Sequence, residues 1–158
     1  MGNQALPRYF EARLAGPSPI IWSTEQKVSA RLGDIRLKGL MDRIDLYQID
    51  GAKVKVIDYK TGRPKTEKDV REGGNGDLYR QLVFYKLLIE HSPQMLGYEP
   101  VEFFLEFVGE RDEEPSSLAF TIPETDARDL TALIERVWAK ILALDFTPLD
   151  PPAQREAK

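Results

Sequence analysis

Apolar and polar positions change period several times along the chain, and each change predicts an element. Residues 4–15 read as a short helix ending at Gly16, and Gly16-Pro-Ser-Pro19 as a connector. Alternating stretches over 20–32 and 35–47, split by Gly33-Asp34, predict two strands, and Lys53–Lys60 predicts a third. Asp50-Gly51 is a hairpin signal between the second and third. Residues 61–76 hold Gly62, Pro64, Gly73, Gly74 and Gly76 among many charges, which predicts a loop. Leu78, Leu82, Tyr85, Leu88 and Ile89 then fall at helical spacing, predicting a helix from Asp77 to Glu90. Val101–Val108 and Leu118–Ile122 read as strands joined by the acidic, polar connector Gly109–Ser117. A last helix over Glu124–Leu144 carries the stripe Leu130, Leu133, Ile134, Val137, Ile141 and Leu144. The order α-βββ-α-ββ-α predicts an α/β fold, a mixed sheet flanked by helices. One domain is expected over 1–146, with 147–158 as a flexible, Pro-rich tail.

Composition narrows the chemistry more than the fold. The 158 residues are 42% hydrophobic and 30% charged, an ordinary globular balance. No apolar run is long enough to span a membrane, and the first residues lack a basic-then-apolar signal pattern. Cysteine is absent, which removes disulfides, thiolate metal sites and thiol nucleophiles together. A cytoplasmic location is the expectation from these features. The net charge of −4 is opposite in sign to that of most nucleic-acid binders, although acidic residues that hold a cation would account for part of it.

The second and third strands carry the candidate chemistry. Gly39-Leu-Met-Asp42-Arg-Ile-Asp45 is followed, after the turn, by Val56-Ile-Asp58-Tyr-Lys60-Thr-Gly62. Two carboxylates drawn together are costly unless a cation sits between them. Register decides whether they meet. A two-residue Asp50-Gly51 turn sets Asp42 opposite Tyr59 and turns Asp58 away. A three-residue loop, Ile49-Asp50-Gly51, pairs Gln48 with Ala52, faces Asp42 to Asp58 and faces Leu40 to Lys60. The apolar pattern selects the second, because it matches Leu46 to Val54 and Ile44 to Val56 on the aspartate face. Lys60 follows Asp58 by two and shares that face. An isolated D-x-K on a strand is usually a solvated face; in register with Asp42 beside an apolar stripe, it predicts a site. Hard carboxylate oxygens suit Mg²⁺ or Mn²⁺, and the Tyr59 backbone carbonyl lies where it could complete the coordination.

These two blocks, followed by Gln81-Leu-Val-Phe-Tyr85, resemble the RecB-like nuclease domain of the PD-(D/E)XK superfamily, in family order and over roughly residues 20–145. The resemblance implies a restriction-endonuclease-like core and metal-dependent cleavage of DNA phosphodiesters, in end processing, repair or recombination with a helicase partner. It assigns Asp42, Asp58, Lys60, Gln81 and Tyr85 to catalysis. It assigns Asp42, Asp58 and the Tyr59 carbonyl to Mg²⁺ or Mn²⁺. Gln81, Tyr85, Arg43, Arg63 and Arg80 are assigned to the substrate. The Gln81–Tyr85 spacing puts both side chains on one helix face; without the other blocks, Tyr85 would read as core.

Two departures from the family stand out. Relatives usually carry a His or Glu ligand on a helix well before the first strand. This chain has a single histidine, His91, after the Gln-Tyr helix, where it reads as a helix C-terminal residue. Glu25, at the start of a strand, and Glu11, on a solvated helix face, are weak substitutes. Many relatives also hold an iron–sulfur cluster on cysteines, and this chain cannot supply one. These departures fit a domain excised from a longer protein, and they admit a catalytically weak, nuclease-like module that only binds DNA or a partner. Arg36, Lys38, Arg43, Arg63, Lys65, Lys68, Arg71 and Arg80 cluster around the motifs in sequence, and those in 61–76 are expected to touch phosphates.

Overall fold

The computed structural model describes residues 7, 11, 18–49, 51–108 and 116–147, Asn75 by its backbone alone. Five strands form one mixed sheet in sequential order: β1 (Ile20–Leu32), β2 (Ile35–Leu46), β3 (Lys53–Lys60), β4 (Glu99–Phe107) and β5 (Ser116–Phe120). Neighbours are antiparallel except β3 and β4, which run parallel. That parallel pair requires a crossover connection. The chain supplies it with α1 (Glu67–Glu72), a 3-10 turn at Gly73–Gly76 and α2 (Asp77–Glu90). A last helix, α3 (Glu124–Leu142), packs on α2. Tyr79 Oη donates to Asp126 Oδ2 at 2.6 Å and Lys86 Nζ lies 3.3 Å from Glu124 Oε2 across that contact.

The restriction-endonuclease-like mixed sheet with flanking helices is therefore present. The N-terminal helix expected over 4–15 lies outside the described residues apart from Pro7 and Glu11, both helical. Asp50, most of the 109–117 connector and the tail beyond Thr147 also lie outside them. Strand and helix ends differ from expectation by one to two residues, the ordinary uncertainty of termini.

The segment 61–76, expected to be a loop, contains a helix. Thr66 and Asp69 form a reciprocal capping box: Asp69 N–H donates to Thr66 Oγ1 at 3.2 Å, and Thr66 N–H donates to Asp69 Oδ2 at 3.1 Å. The ion pair Glu67–Arg71 lies on the outside, and Val70 is fully buried. Gly76 closes this segment with φ 73°, and a Cβ there would stand 2.8 Å from the Arg71 carbonyl oxygen, so only glycine fits.

The core lies between the sheet and α2. Ile44, Val54, Val56, Phe103, Leu105 and Phe107 from the strands meet Leu82, Leu88 and Ile89 from the helix. Gly39 lets β2 approach α2: a Cβ there would come within 2.4 Å of Leu88 Cδ1. The free side of β1 is covered at two points by the end of α2 and the turn after it. Arg31 N–H donates to His91 O at 3.4 Å, and Ser29 N–H donates to Gln94 Oε1 at 3.1 Å.

Candidate active site

β2 and β3 pair in the register that the apolar pattern selects. Leu46 faces Val54, Ile44 faces Val56 and Arg43 faces Ile57. The ladder stops there, one residue short of Asp42 and Asp58. Instead of a backbone carbonyl, the Asp42 carboxylate takes the next N–H: Tyr59 N–H donates to Asp42 Oδ2 at 2.8 Å. The expected opposition of Leu40 to Lys60 is not formed, because β2 has left β3 by then, and Leu40 is exposed. On the far side, β1 is also irregular: Glu25, between the pairs Thr24–Arg43 and Gln26–Met41, adopts φ 49°, a left-handed conformation rare for a non-glycine residue.

Asp58 is the centre of the site and is 2% exposed. Its Oδ1 accepts from Gln81 Nε2 at 3.0 Å and from Tyr85 Oη at 2.9 Å. Its Oδ2 stands 2.6 Å from Lys60 Nζ, a charge contact without aligned hydrogen-bond geometry. Lys60 Nζ donates to Gln81 Oε1 at 2.8 Å, and Gln81 Nε2 donates to Tyr85 Oη at 2.7 Å. The four side chains thus form a closed network with two members on the middle strand and two on one face of α2. Burial first, and the charge of Asp58 next, push the Tyr85 hydroxyl well above its ordinary value; Asp42 adds to this from close by. Tyr85 therefore stays protonated and donates to Asp58. The Asp58 carboxylate and the Tyr85 hydroxyl thus meet on the α2 side of the sheet.

Arg43 is not brought to this site. It alternates with Asp42, so it lies on the opposite face, where it is 7% exposed. Its Nη2 pairs with Asp45 Oδ2 at 2.9 Å, and its Nη1 donates to Tyr59 Oη at 2.5 Å. Arg43, expected at the substrate, is here engaged by Asp45 and Tyr59 on the back face. Arg63 is exposed and lines a groove of ≈510 Å³ with Lys60, Lys65, Asp69 and Leu78. Arg80, beside Gln81 on α2, is exposed and pairs with Asp77 Oδ1 at 2.9 Å. His91 caps the C-terminal end of α2, and Glu11 is exposed. The buried Arg43–Asp45–Tyr59 cluster behind the site was missed by motif reading, although strand alternation alone puts those three side chains on the back face.

The residues suit a hard divalent cation in part. Asp58 Oδ2 is buried and receives no aligned hydrogen bond, its contact being the charge of Lys60 at 2.6 Å. Among the described residues no group of three or more acidic, His or Cys side chains converges. No helix among them is long and apolar enough to cross a membrane.

No curated protein matches the chain. Among solved structures, SSO0001 matches at 18% identity and TM-score 0.44, over 92% of this chain and 60% of its own. A candidate exonuclease from Eubacterium rectale matches at 19% identity and TM-score 0.46, over 87% of this chain and 48% of its own. The chain thus spans between half and three-fifths of the length of these two neighbours. The model of the PD-(D/E)XK nuclease superfamily matches residues 3–153, so that it takes in all five strands, both motif strands and the Gln81–Tyr85 helix. With that match over most of its length, and its D-x-K and helical Gln in one hydrogen-bonded network, this chain belongs to the PD-(D/E)XK nuclease superfamily.

Proposed function

We propose that this chain is a RecB-like, metal-dependent deoxyribonuclease domain that hydrolyses DNA phosphodiester bonds in end processing, repair or recombination, alongside a helicase domain or subunit. The observation that carries the reading is the state of Asp58: one oxygen saturated by Gln81 and Tyr85, the other buried, unbonded and beside Lys60. Asp42, Asp58 and the Tyr59 carbonyl would hold Mg²⁺ or Mn²⁺. Such an ion, when bound, lowers the pKa of a coordinated water and offsets charge on the phosphate.

The protein's own groups have separable tasks. Lys60 donates one N–H to Gln81 and sits against Asp58 by charge, which leaves N–H capacity for a phosphate oxygen or the attacking water. Gln81 is a positioning residue, since it fixes Lys60 relative to Asp58. Tyr85 positions Asp58 through its protonated hydroxyl. Arg63 and Arg80, exposed at the rim, contact flanking phosphates.

The test is cleavage of single- and double-stranded DNA with Mg²⁺ or Mn²⁺ by the wild type, Asp58→Ala and Lys60→Ala. Loss of 10³-fold or thereabouts is expected in both variants, on the scale of removing an electrostatic stabiliser. Equal activity in all three would rule out the assigned site. A second reading, a nuclease-like domain that binds DNA without cutting it, is favoured by one observation: no group of three or more acidic, His or Cys side chains converges among the described residues. Calorimetry with Mn²⁺ separates the two, because retained DNA binding without metal binding selects the second.

A further inference from the structure

The β1–β2 hairpin has an outer face that the proposed site does not use. β2 presents Gly39 to Leu88 of α2, so the alternate residues Arg36, Lys38 and Leu40 point away from the core. Their cross-strand partners are Arg31, Ser29 and Lys27. All six are exposed. This face therefore carries four cations and no acid, in a chain whose net charge is −4. Arg31 stands directly opposite Arg36, a like-charge pair that destabilises a hairpin. None of the four cations has a hydrogen-bond or ion-pair partner through its side chain among the described residues, whereas Lys86, Arg71 and Lys140 elsewhere are paired. Uncompensated cations held in opposition serve a polyanion better than they serve the fold.

We propose that this face, Lys27, Arg31, Arg36 and Lys38, binds the phosphate backbone of the nucleic-acid substrate beyond the active site. The proposal rests on the reading of the substrate as DNA. β2 carries Asp42 four residues past Lys38 and six past Arg36, so the cations lie along the same strand as the site, on the hairpin face turned away from α2. At the rise of an extended strand these separations are about 13 and 20 Å. At 3.4 Å per nucleotide they correspond to roughly four and six nucleotides of a duplex strand. The hairpin thus holds a flanking arm of DNA, and its contacts go to phosphates, so they carry no sequence preference.

The test measures binding in EDTA, where no cleavage is read. The probe is a labelled DNA of about 20 nucleotides, single-stranded and as a duplex, long enough to span both surfaces. The quadruple variant K27Q/R31Q/R36Q/K38Q is compared with wild type and with R128Q/R136Q, which removes cations from exposed positions on α3. The slope of log affinity against log salt is expected to fall by about three in the quadruple variant, by about half that in K27Q/R31Q alone, and not in R128Q/R136Q. Each half-variant guards against misfolding of the quadruple one. An unchanged slope in the quadruple variant overturns the proposal. So does an equal loss in the α3 control, and so does a loss confined to phosphatidylserine vesicles with DNA binding intact. If wild type cuts no DNA yet the quadruple variant loses slope, the nuclease reading falls and the hairpin surface stands; active enzyme with an unmoved slope gives the reverse.

Discussion

Gln81 satisfies its three partners in one orientation only. Lys60 brings donors alone, so it requires the amide oxygen, and the Asp58 carboxylate requires the amide NH₂. The resulting order, Lys60 to Gln81 to Asp58 with Tyr85 closing the ring, leaves no rotational choice at the centre of the site. Arg43 shows the opposite case, a residue whose neighbours in sequence suggest one role and whose face dictates another. It sits inside the Asp42 motif, directly after the proposed ligand. Asp42 and Arg43 cannot share a face on one strand. Arg43 instead ties β2 to β3 from behind, through Asp45 and Tyr59. Arg43→Ala leaves Asp45 buried without its cation, with an expected cost of about 3–5 kcal/mol in urea unfolding. Arg128→Ala, at an exposed position on α3, is expected to stay within about 0.5 kcal/mol. Equal midpoints for the two variants would mean that Arg43 is not structural.

At the scale of elements, the sequence was most legible where apolar period and register cooperate. The parity of Leu46, Ile44, Val54 and Val56 forces the β2–β3 alignment, since a slip by one residue would turn the whole set to the other face. It could not say where the ladder ends. That is set by tertiary packing, such as the close approach of β2 to α2 at Gly39, which has no local signal. The missed helix α1 was visible in principle, because Thr66-Glu-Lys-Asp69 is a capping box. Its 6 residues offer too few turns for periodicity to rise above the glycines around them. The Gly39 approach yields a prediction. Gly39→Ala drives its methyl into Leu88, so it is expected to cost about 1–3 kcal/mol by overpacking. Leu88→Ala opens a cavity and costs about 2–5 kcal/mol alone. The double variant should be less destabilised than the sum of the two singles, as contacting sites are. Strict additivity in denaturation curves would show that the close approach is absent in solution.

For the molecule as a whole, the site is a load on stability as well as a centre of chemistry. It buries a carboxylate, holds a lysine against it and keeps a phenol protonated between helix and strand. These groups join α2 to β3, the crossover unit on which the mixed sheet depends, so the titration of Tyr85 reports on the entire fold. Tyr85 provides the clearest sign. Its hydroxyl titrates above its unfolded value of about 10, because burial and Asp58 disfavour the phenolate. Below pH 10 both states hold the proton, and the contribution is fully present. Above it the unfolded chain releases a proton that the folded chain retains, so stability falls as pH rises. The slope for one such group is about 1.4 kcal/mol per pH unit. Tyr79 titrates late for a similar reason, burial with Asp126 behind it, so the wild-type slope exceeds that of one tyrosine. Tyr85→Phe is expected to lower stability at pH 8 by about 1 kcal/mol, the worth of one hydrogen bond, and to flatten the alkaline limb by about one proton. Chemical denaturation between pH 8 and 11, followed by circular dichroism, reads both quantities on the same samples. An alkaline limb equally steep in Tyr85→Phe would mean that the phenol is not held protonated against Asp58, and the closed network at the site would lose its fourth member.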